Sequence, residues 1–200
     1  MGRKSIKKER KPLTKKAKVW VRELIPLLQE KDLNNITLDD IASLANKSKS
    51  TIYTYFHSKE EIFQTAVQMV LEEMQYASTE EAVKGEDMEQ ALQNVLMHIS
   101  KGIQGISIAF LDQIKQHYPI AWQEIEDFTG KLLQNLQFIY EKGMEAGSFR
   151  RFNTDMLILL DQHFIMNMIT NPKLFQEERV TLEQLVKEYI VLRLSALNAK

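Results

Sequence analysis

An all-α fold follows from three observations on this 200-residue sequence. Glycine and proline are scarce, seven and four residues, while Leu, Ile, Lys, Glu and Gln are abundant. Apolar residues recur every three or four positions through most of the chain, which is the period of one helix face. Residues that cap helices stand just ahead of these runs. About nine helices are expected on this pattern, and a composition 44% hydrophobic supplies the core they need.

The chain begins with a basic run. Residues 1–18 hold nine cations, from Arg3 to Lys18, against Glu9 alone. Such a run repels itself, so residues 1–12 are expected to form a disordered arm when free. Leu13, Ala17, Trp20, Leu24 and Leu28 then form the apolar stripe of a first helix. Pro26 removes a backbone donor inside it, so a kink or an early end is expected there.

Residues 37–59, TLDDIASLANKSKSTIYTYFHSK, organise the rest. Thr37 with Asp40 three residues on approximates a capping box, and Leu38, Ile41, Ala42 and Ala45 supply an apolar face. Asn46 suits the left-handed position that ends a helix. Ser48 caps the next helix, in which Ile52, Tyr53 and Phe56 supply apolar contacts. Ser58 with Glu61 makes a second capping box for a longer helix. The remaining face, Lys47, Lys49, Ser50, Thr51, Thr54 and Tyr55, is made of cations and hydroxyls, with no carboxylate between Asp40 and Glu60. Two short helices at this spacing with such a face read as a helix-turn-helix, whose second helix enters the DNA major groove. The competing reading is a solvated helix in an ordinary bundle.

The run Ile41-Ala42, Ala45, Ser48-Lys49, Thr51-Ile52-Tyr53, Tyr55-Phe56, Ser58-Lys59-Glu60 resembles the N-terminal signature of the TetR family of bacterial transcriptional regulators. It covers about a quarter of the chain without a gap. Asn46 and Ser50 stand where that family usually has Gly, Lys47 where it has a small apolar residue, and Asp32 where another Gly is common. Asn and Asp tolerate the left-handed conformation, so the fold survives these changes. Ser50 and Lys47 bear on which bases are read. The resemblance implies a three-helix DNA-binding domain over 13–57, a ligand-binding and dimerisation domain over 58–200, and a fourth helix linking the two. It also implies a homodimer in which a small molecule entering between helices changes the separation of the two DNA-reading heads.

Charge is divided accordingly. Residues 1–60 hold 14 Lys/Arg against 7 Asp/Glu, whereas residues 61–200 hold 12 against 20. A basic N-terminal part beside an acidic remainder implies that only the first meets a polyanion. Beside a helix-turn-helix, the arm can follow phosphates or enter the adjacent minor groove, or it can merely solubilise. Within helix 48–54, Lys49, Ser50 and Thr54 are the candidates for base edges, and Thr51 for a thymine methyl. Thr37, Ser48, Tyr53, Tyr55, His57 and Lys59 are candidates for phosphates, with the Tyr53 ring inward and its hydroxyl outward.

Beyond Ser58, the fourth helix carries Ile62, Phe63, Ala66, Val67, Val70 and Met74 inward, and Glu80 to Asp87 form the clearest break. Leu92, Val95, Leu96 and Ile99 mark a fifth helix, and Gly102 and Gly105 interrupt before a sixth ending near His117-Tyr118. Pro119 opens a seventh and Gly147 stops it. Asn153 or Thr154 caps an eighth, Asp155 to about Thr170, apolar nearly all round, and a last helix follows from Thr181. Two such late helices exceed the need of one small core, so a homodimer four-helix bundle is expected.

Other chemistry is thin. Cysteine is absent, which fits a reducing cytoplasm and leaves no disulfide or thiolate site. No charge-free apolar run is long enough to span a bilayer, and no signal peptide is visible, so a membrane partner is not expected. His57, His98, His117 and His163 lie at no metal-binding spacing, and phosphate loops and nucleophile motifs are missing. Neither catalysis nor a metal or cofactor is expected. For a small, mostly apolar effector the candidate lining is Met97, His98, Phe110, Tyr118, Trp122, Phe128, His163, Phe164 and Met166. His163 stands out as a polar group in a very apolar helix. Taken together, the sequence predicts an effector-responsive regulator, a repressor by default, that binds a palindromic operator in double-stranded DNA as a dimer. The alternative is a basic-tailed helical adaptor for protein or membrane partners, without sequence-specific readout.

Overall fold

The computed structural model describes residues 12–75, 87–171 and 181–197, and these hold nine helices and no strand. The helices are α1 (Lys15–Leu28), α2 (Leu38–Leu44), α3 (Lys49–Tyr55), α4 (Lys59–Met74), α5 (Met88–Gly102), α6 (Ile108–His117), α7 (Pro119–Ala146), α8 (Thr154–Thr170) and α9 (Leu182–Leu197). The basic arm up to Lys11, and the break around Glu80 except Asp87, lie outside the described residues.

Local chemistry sets most boundaries. The Thr14, Ser48, Ser58, Asp87, Ser107 and Asn153 side chains each accept a bond from a first-turn N–H of α1, α3, α4, α5, α6 and α8. Thr181 and Gln184 exchange bonds ahead of α9 in the same manner. α1 runs through Pro26 and stops two residues later. Pro119 starts α7, and Gly147 ends it at φ 76°, where a side chain would strain the backbone. One capping expectation is corrected. The Glu61 carboxylate does not return to the N–H of Ser58; it accepts from His57 N–H at 2.6 Å, so the box at α4 is half made.

One apolar core joins α1–α4 to α6 and the start of α7. Trp20, Ile41, Ile52, Phe56, Phe63, Tyr118 and Trp122 are all buried within it. Trp20 meets Phe56 edge-on at 5.8 Å, and Phe63 lies 4.2 Å from Tyr118. Such aromatic pairs contribute about 0.5–1.5 kcal/mol beyond their buried area. A second core gathers Leu92, Val95, Leu132, Leu136, Tyr140, Phe149 and Leu197 from α5, α7, α9 and the α7–α8 turn. Near the end of α7, Gly143 is needed for space, since a Cβ there would overlap the Phe149 ring.

α8 and α9 keep apolar side chains in solvent. Met156, Leu159 and Leu160 stand 46–58% exposed on one stripe of α8, and Val191 and Leu192 58–68% exposed on α9. The polar residue that α8 buries is Asp161, not His163. His163 is exposed, its Nδ1 2.9 Å from the Leu159 carbonyl. Asp161 is fully buried and accepts from the hydroxyls of Tyr140, at 2.8 Å, and Tyr189, and from the Arg193 guanidinium. Burial pushes its carboxyl above the ordinary value, against the pull of Tyr189, Arg193 and Tyr140.

Candidate DNA-reading face and ligand cavity

The helix pair is fixed by its turn. Asn46 adopts φ 51°, its N–H donates to the Ser43 carbonyl, and Lys47 N–H donates to the Ala42 carbonyl. That is the Schellman pattern, which satisfies the free carbonyls at the end of α2. At the other end Thr37 and Asp40 complete a true capping box. Asp40 accepts from Thr37 N–H at 2.9 Å and from the Thr37 hydroxyl at 2.6 Å, while Asp40 N–H donates to Thr37 Oγ1 at 3.2 Å. The hydroxyl and backbone bonds from Thr37 hold the Asp40 carboxyl below its ordinary value of 3.8. A lowered folded value means this contribution is present above the ordinary value and lost as pH falls through the folded one. Asp40→Asn should therefore differ from the native chain in thermal midpoint at pH 7, and the difference should shrink towards pH 3.

Ile52 and Phe56 turn α3 inward, and Lys49, Ser50 and Tyr53 face solvent, with Thr51 and Thr54 half-buried beside them. The structure reverses the expectation for the tyrosines. Tyr53 is 36% exposed rather than packed inward, whereas Tyr55 leans on the first core with its ring 6.4 Å from Phe56. Ser48 Oγ accepts from Thr51 N–H at 3.2 Å and lies within 2.9 Å of the Ser50 and Thr51 hydroxyls. Thr54 donates to the Ser50 carbonyl at 2.8 Å. Thr37, Ser48, Lys49, Ser50, Thr51, Tyr53 and Thr54 thus belong to one short helix pair, and His57 is exposed just past it. Lys59 is turned elsewhere: its ammonium donates to the Asn34 and Ile36 carbonyls at 2.7 and 3.1 Å and closes the α1–α2 turn. Lys49 also has a neighbour that the linear order hides. Its ammonium lies 2.7 and 2.8 Å from the two carboxylate oxygens of Asp39 on α2.

A cavity of about 140 Å³ lies between α1 and α4–α9. Its wall is aliphatic and aromatic, with Val67, Val70 and Met74 from α4, Leu96 and Ile99 from α5, and Phe110 and Leu111 from α6. Phe128, Thr129 and Leu132 of α7, Phe164 of α8 and Tyr189 of α9 close it. Among these, Thr129 and Tyr189 carry the hydroxyls, and both are engaged: Thr129 donates to the Ile125 carbonyl at 2.8 Å, and Tyr189 to Asp161. The Tyr189 ring stacks on Phe164 with centroids 4.3 Å apart.

Of the residues expected to line such a site, the structure brings Phe110, Phe128 and Phe164 to the wall. Met97 is 59% exposed, Tyr118 and Trp122 are buried in the first core, Met166 packs against that core, and His98 and His163 do not line the cavity. Tyr118 has a different task. Its buried hydroxyl donates to the Leu33 carbonyl at 2.6 Å, and burial pushes its ionisation up to about 12. Gln113 of α6 brackets the same turn, accepting from Leu33 N–H at 2.7 Å and donating to the Lys31 carbonyl at 3.0 Å. α6 therefore touches the cavity through Phe110 and Leu111 and grips the α1–α2 turn through Gln113.

Comparison with known proteins agrees with this geometry. Residues 25–66 match the sequence model of the family described as bacterial regulatory proteins, tetR family. The uncharacterized HTH-type transcriptional regulator YhgD of Bacillus subtilis (strain 168) is 25% identical over 168 residues, 80% of this chain and 86% of that protein. The TetR family transcriptional regulator PfmR of Thermus thermophilus superposes with a TM-score of 0.63 at 22% identity, covering 91% of this chain and 97% of that one. The transcriptional regulator FadR of Bacillus subtilis, solved in complex with stearoyl-CoA, superposes with a TM-score of 0.60 at 16% identity, covering 89% and 98%. The family match over the helix-turn-helix and the shared fold over about nine-tenths of the length lead to one conclusion: residues 25–66 carry a tetR-family helix-turn-helix, and the chain as a whole has the fold of TetR-family regulators.

Proposed function

We infer that this regulator is a homodimeric repressor that binds a palindromic operator through α3 and is released by an effector with a long apolar portion. The observation that carries the reading is the cavity wall, whose two hydroxyls are already bonded within the protein. Such a wall offers a ligand apolar contact and no free donor, which suits an alkyl or acyl chain with its polar head outside. The stearoyl-CoA held by the structurally similar FadR is a ligand of that kind. Residues 13–57 act as the DNA-binding unit and 58–200 as the ligand-binding and dimerisation unit. The exposed apolar stripes of α8 and α9 form the face that meets the second copy.

In this mechanism Lys49, Ser50 and Thr54 meet base edges, and Thr51 offers a methyl. Thr37, Ser48, Tyr53, Tyr55 and His57 hold phosphates and fix register. Ligand in the cavity displaces α4 and α6, and Gln113 and Tyr118 carry that movement to the α1–α2 turn. The population shifts to a head spacing that does not fit the operator. A hundredfold release requires about 2.7 kcal/mol of coupling, within the usual allosteric range.

The test is selection of duplexes from a random library by the full chain at physiological salt, beside Lys49→Ala. The expected result is an enriched palindrome whose half-site spacing reports the dimer, weakened about tenfold or more in Lys49→Ala, as for one lost charge-assisted hydrogen bond to a base. Stearoyl-CoA and stearate, added to the selected complex, should release it. Binding that only fades with salt and enriches no sequence would favour a non-specific adaptor instead.

A further inference from the structure

Between Asp40 and Glu60 the sequence has no acid, yet the folded reading face does have one. Asp39 reaches it from α2. Of the two acids in the first turn of α2, Asp40 is consumed by the capping box with Thr37, whereas the Asp39 carboxylate takes no part in that box. It lies instead with both oxygens within 2.8 Å of the Lys49 ammonium, at the opening of α3. Both side chains are more than half exposed, so this pair adds little stability. Its consequence is for what Lys49 can bind.

Resting on the helix-turn-helix reading above, we propose that Asp39 is a specificity-determining residue, which withholds Lys49 from phosphates and directs it at a base. A lysine ammonium has three donors and no fixed plane, so unpartnered it serves any phosphate equally well. Paired with Asp39, Lys49 contributes no net charge to sequence-independent attraction, and the carboxylate repels the DNA backbone. The third donor remains available to a guanine acceptor, which can share the ammonium with Asp39. On a wrong sequence that acceptor is absent, and the pair meets the duplex as a neutral unit. Asp39 thus lowers affinity for all DNA and lowers it least at the cognate site.

The experiment compares the full chain with Asp39→Asn, Asp39→Ser and Asp39→Glu, on the duplex enriched by the native protein and on a scrambled duplex, across a salt series. Asn and Ser keep a short polar side chain at this exposed position without the charge, so either variant reads the charge effect, with thermal unfolding as the control for fold. Asp39→Asn and Asp39→Ser should bind the scrambled duplex roughly fivefold to tenfold more tightly at about 0.1 M salt, because one further cation is released to phosphate. Their logarithmic salt dependence on that duplex should steepen by about 0.9. Binding to the enriched duplex should gain less, so the specificity ratio falls, and Asp39→Glu should restore it. In a Lys49→Ala background the change of slope should disappear. An unchanged ratio and slope in the charge-removing variants would overturn the proposal, as would Asp39→Glu behaving like Asp39→Asn. If the native chain enriches no sequence at all, the helix-turn-helix reading fails and takes the proposal with it. If the native chain discriminates and Asp39→Asn discriminates equally, only the proposal fails.

Discussion

Asp161→Ala should destabilise the chain by about 3 kcal/mol or more, read as a lower urea midpoint with an unchanged slope. The carboxylate is fully buried and accepts from three donors on two other helices, Tyr140 of α7 and Tyr189 and Arg193 of α9. Removing it strands a guanidinium and two hydroxyls, and such a loss typically costs about 3–5 kcal/mol. The Arg193 side chain is 14% exposed and recovers some hydration, which places the expectation at the lower end. Asp161→Asn separates charge from shape, since the amide oxygen can still accept from one of the donors. Burial raises the Asp161 carboxyl above its ordinary 3.8, so the sign is opposite to that of Asp40. Its contribution is full below the ordinary value and is lost as pH rises through the folded one. Asp161→Asn should accordingly lag the native protein more at about pH 4.5 than at pH 7. Equal deficits at the two values would mean that Asp161 ionises as a surface aspartate does.

This cluster also shows where sequence reading stops. Caps and breaks were legible because each depends on residues within four positions: Thr37 with Asp40, Ser48 with Thr51, Asn46 in its left-handed turn, Gly147 after α7. α3 was legible for the same reason. Ile52 and Phe56 face inward by helical spacing, and the cations and hydroxyls are left outside. Asp161 is 32 residues from Arg193, and only the packing of α8 on α9 joins them. His163 looked the stranger residue in that helix because an imidazole among apolar neighbours is conspicuous, yet rotation of α8 places it in solvent. The i to i+4 spacing of Tyr189 and Arg193 was the available signal, two donors on one face awaiting an acceptor. Lys59 and Lys49 make the same point on the basic face. Each cation's partner, the carbonyls of the α1–α2 turn for one and Asp39 for the other, becomes visible when the chain folds back. The cavity was half legible. Aromatic residues were a fair guide to three wall positions, but much of the wall is aliphatic, from α4, α5 and α7. Nothing in a Val or Leu distinguishes a wall position from a filled core.

Val70→Trp should leave operator binding within about threefold of the native protein and abolish release by an apolar effector, a change of a hundredfold or more if coupling is about 2.7 kcal/mol. Val70 is half-buried on α4 and lines the cavity, so an indole can extend into empty space rather than into a filled core. Overpacking a complete core costs about 1–3 kcal/mol. Filling a void regains dispersion contacts that its wall lacks, so the thermal midpoint should hold or rise. The variant should also stop taking up an environment-sensitive naphthalene dye, which detects the cavity whatever the natural effector is. Val70 is on α4, outside the α2–α3 pair, and Lys49 is exposed, so the duplex enriched by the native chain should be enriched again. If Val70→Trp excludes the dye but still releases DNA with stearoyl-CoA, the effector acts from another surface and α6 is not its route. If dye and response disappear together while DNA binding persists, occupancy of this one cavity controls the reading heads.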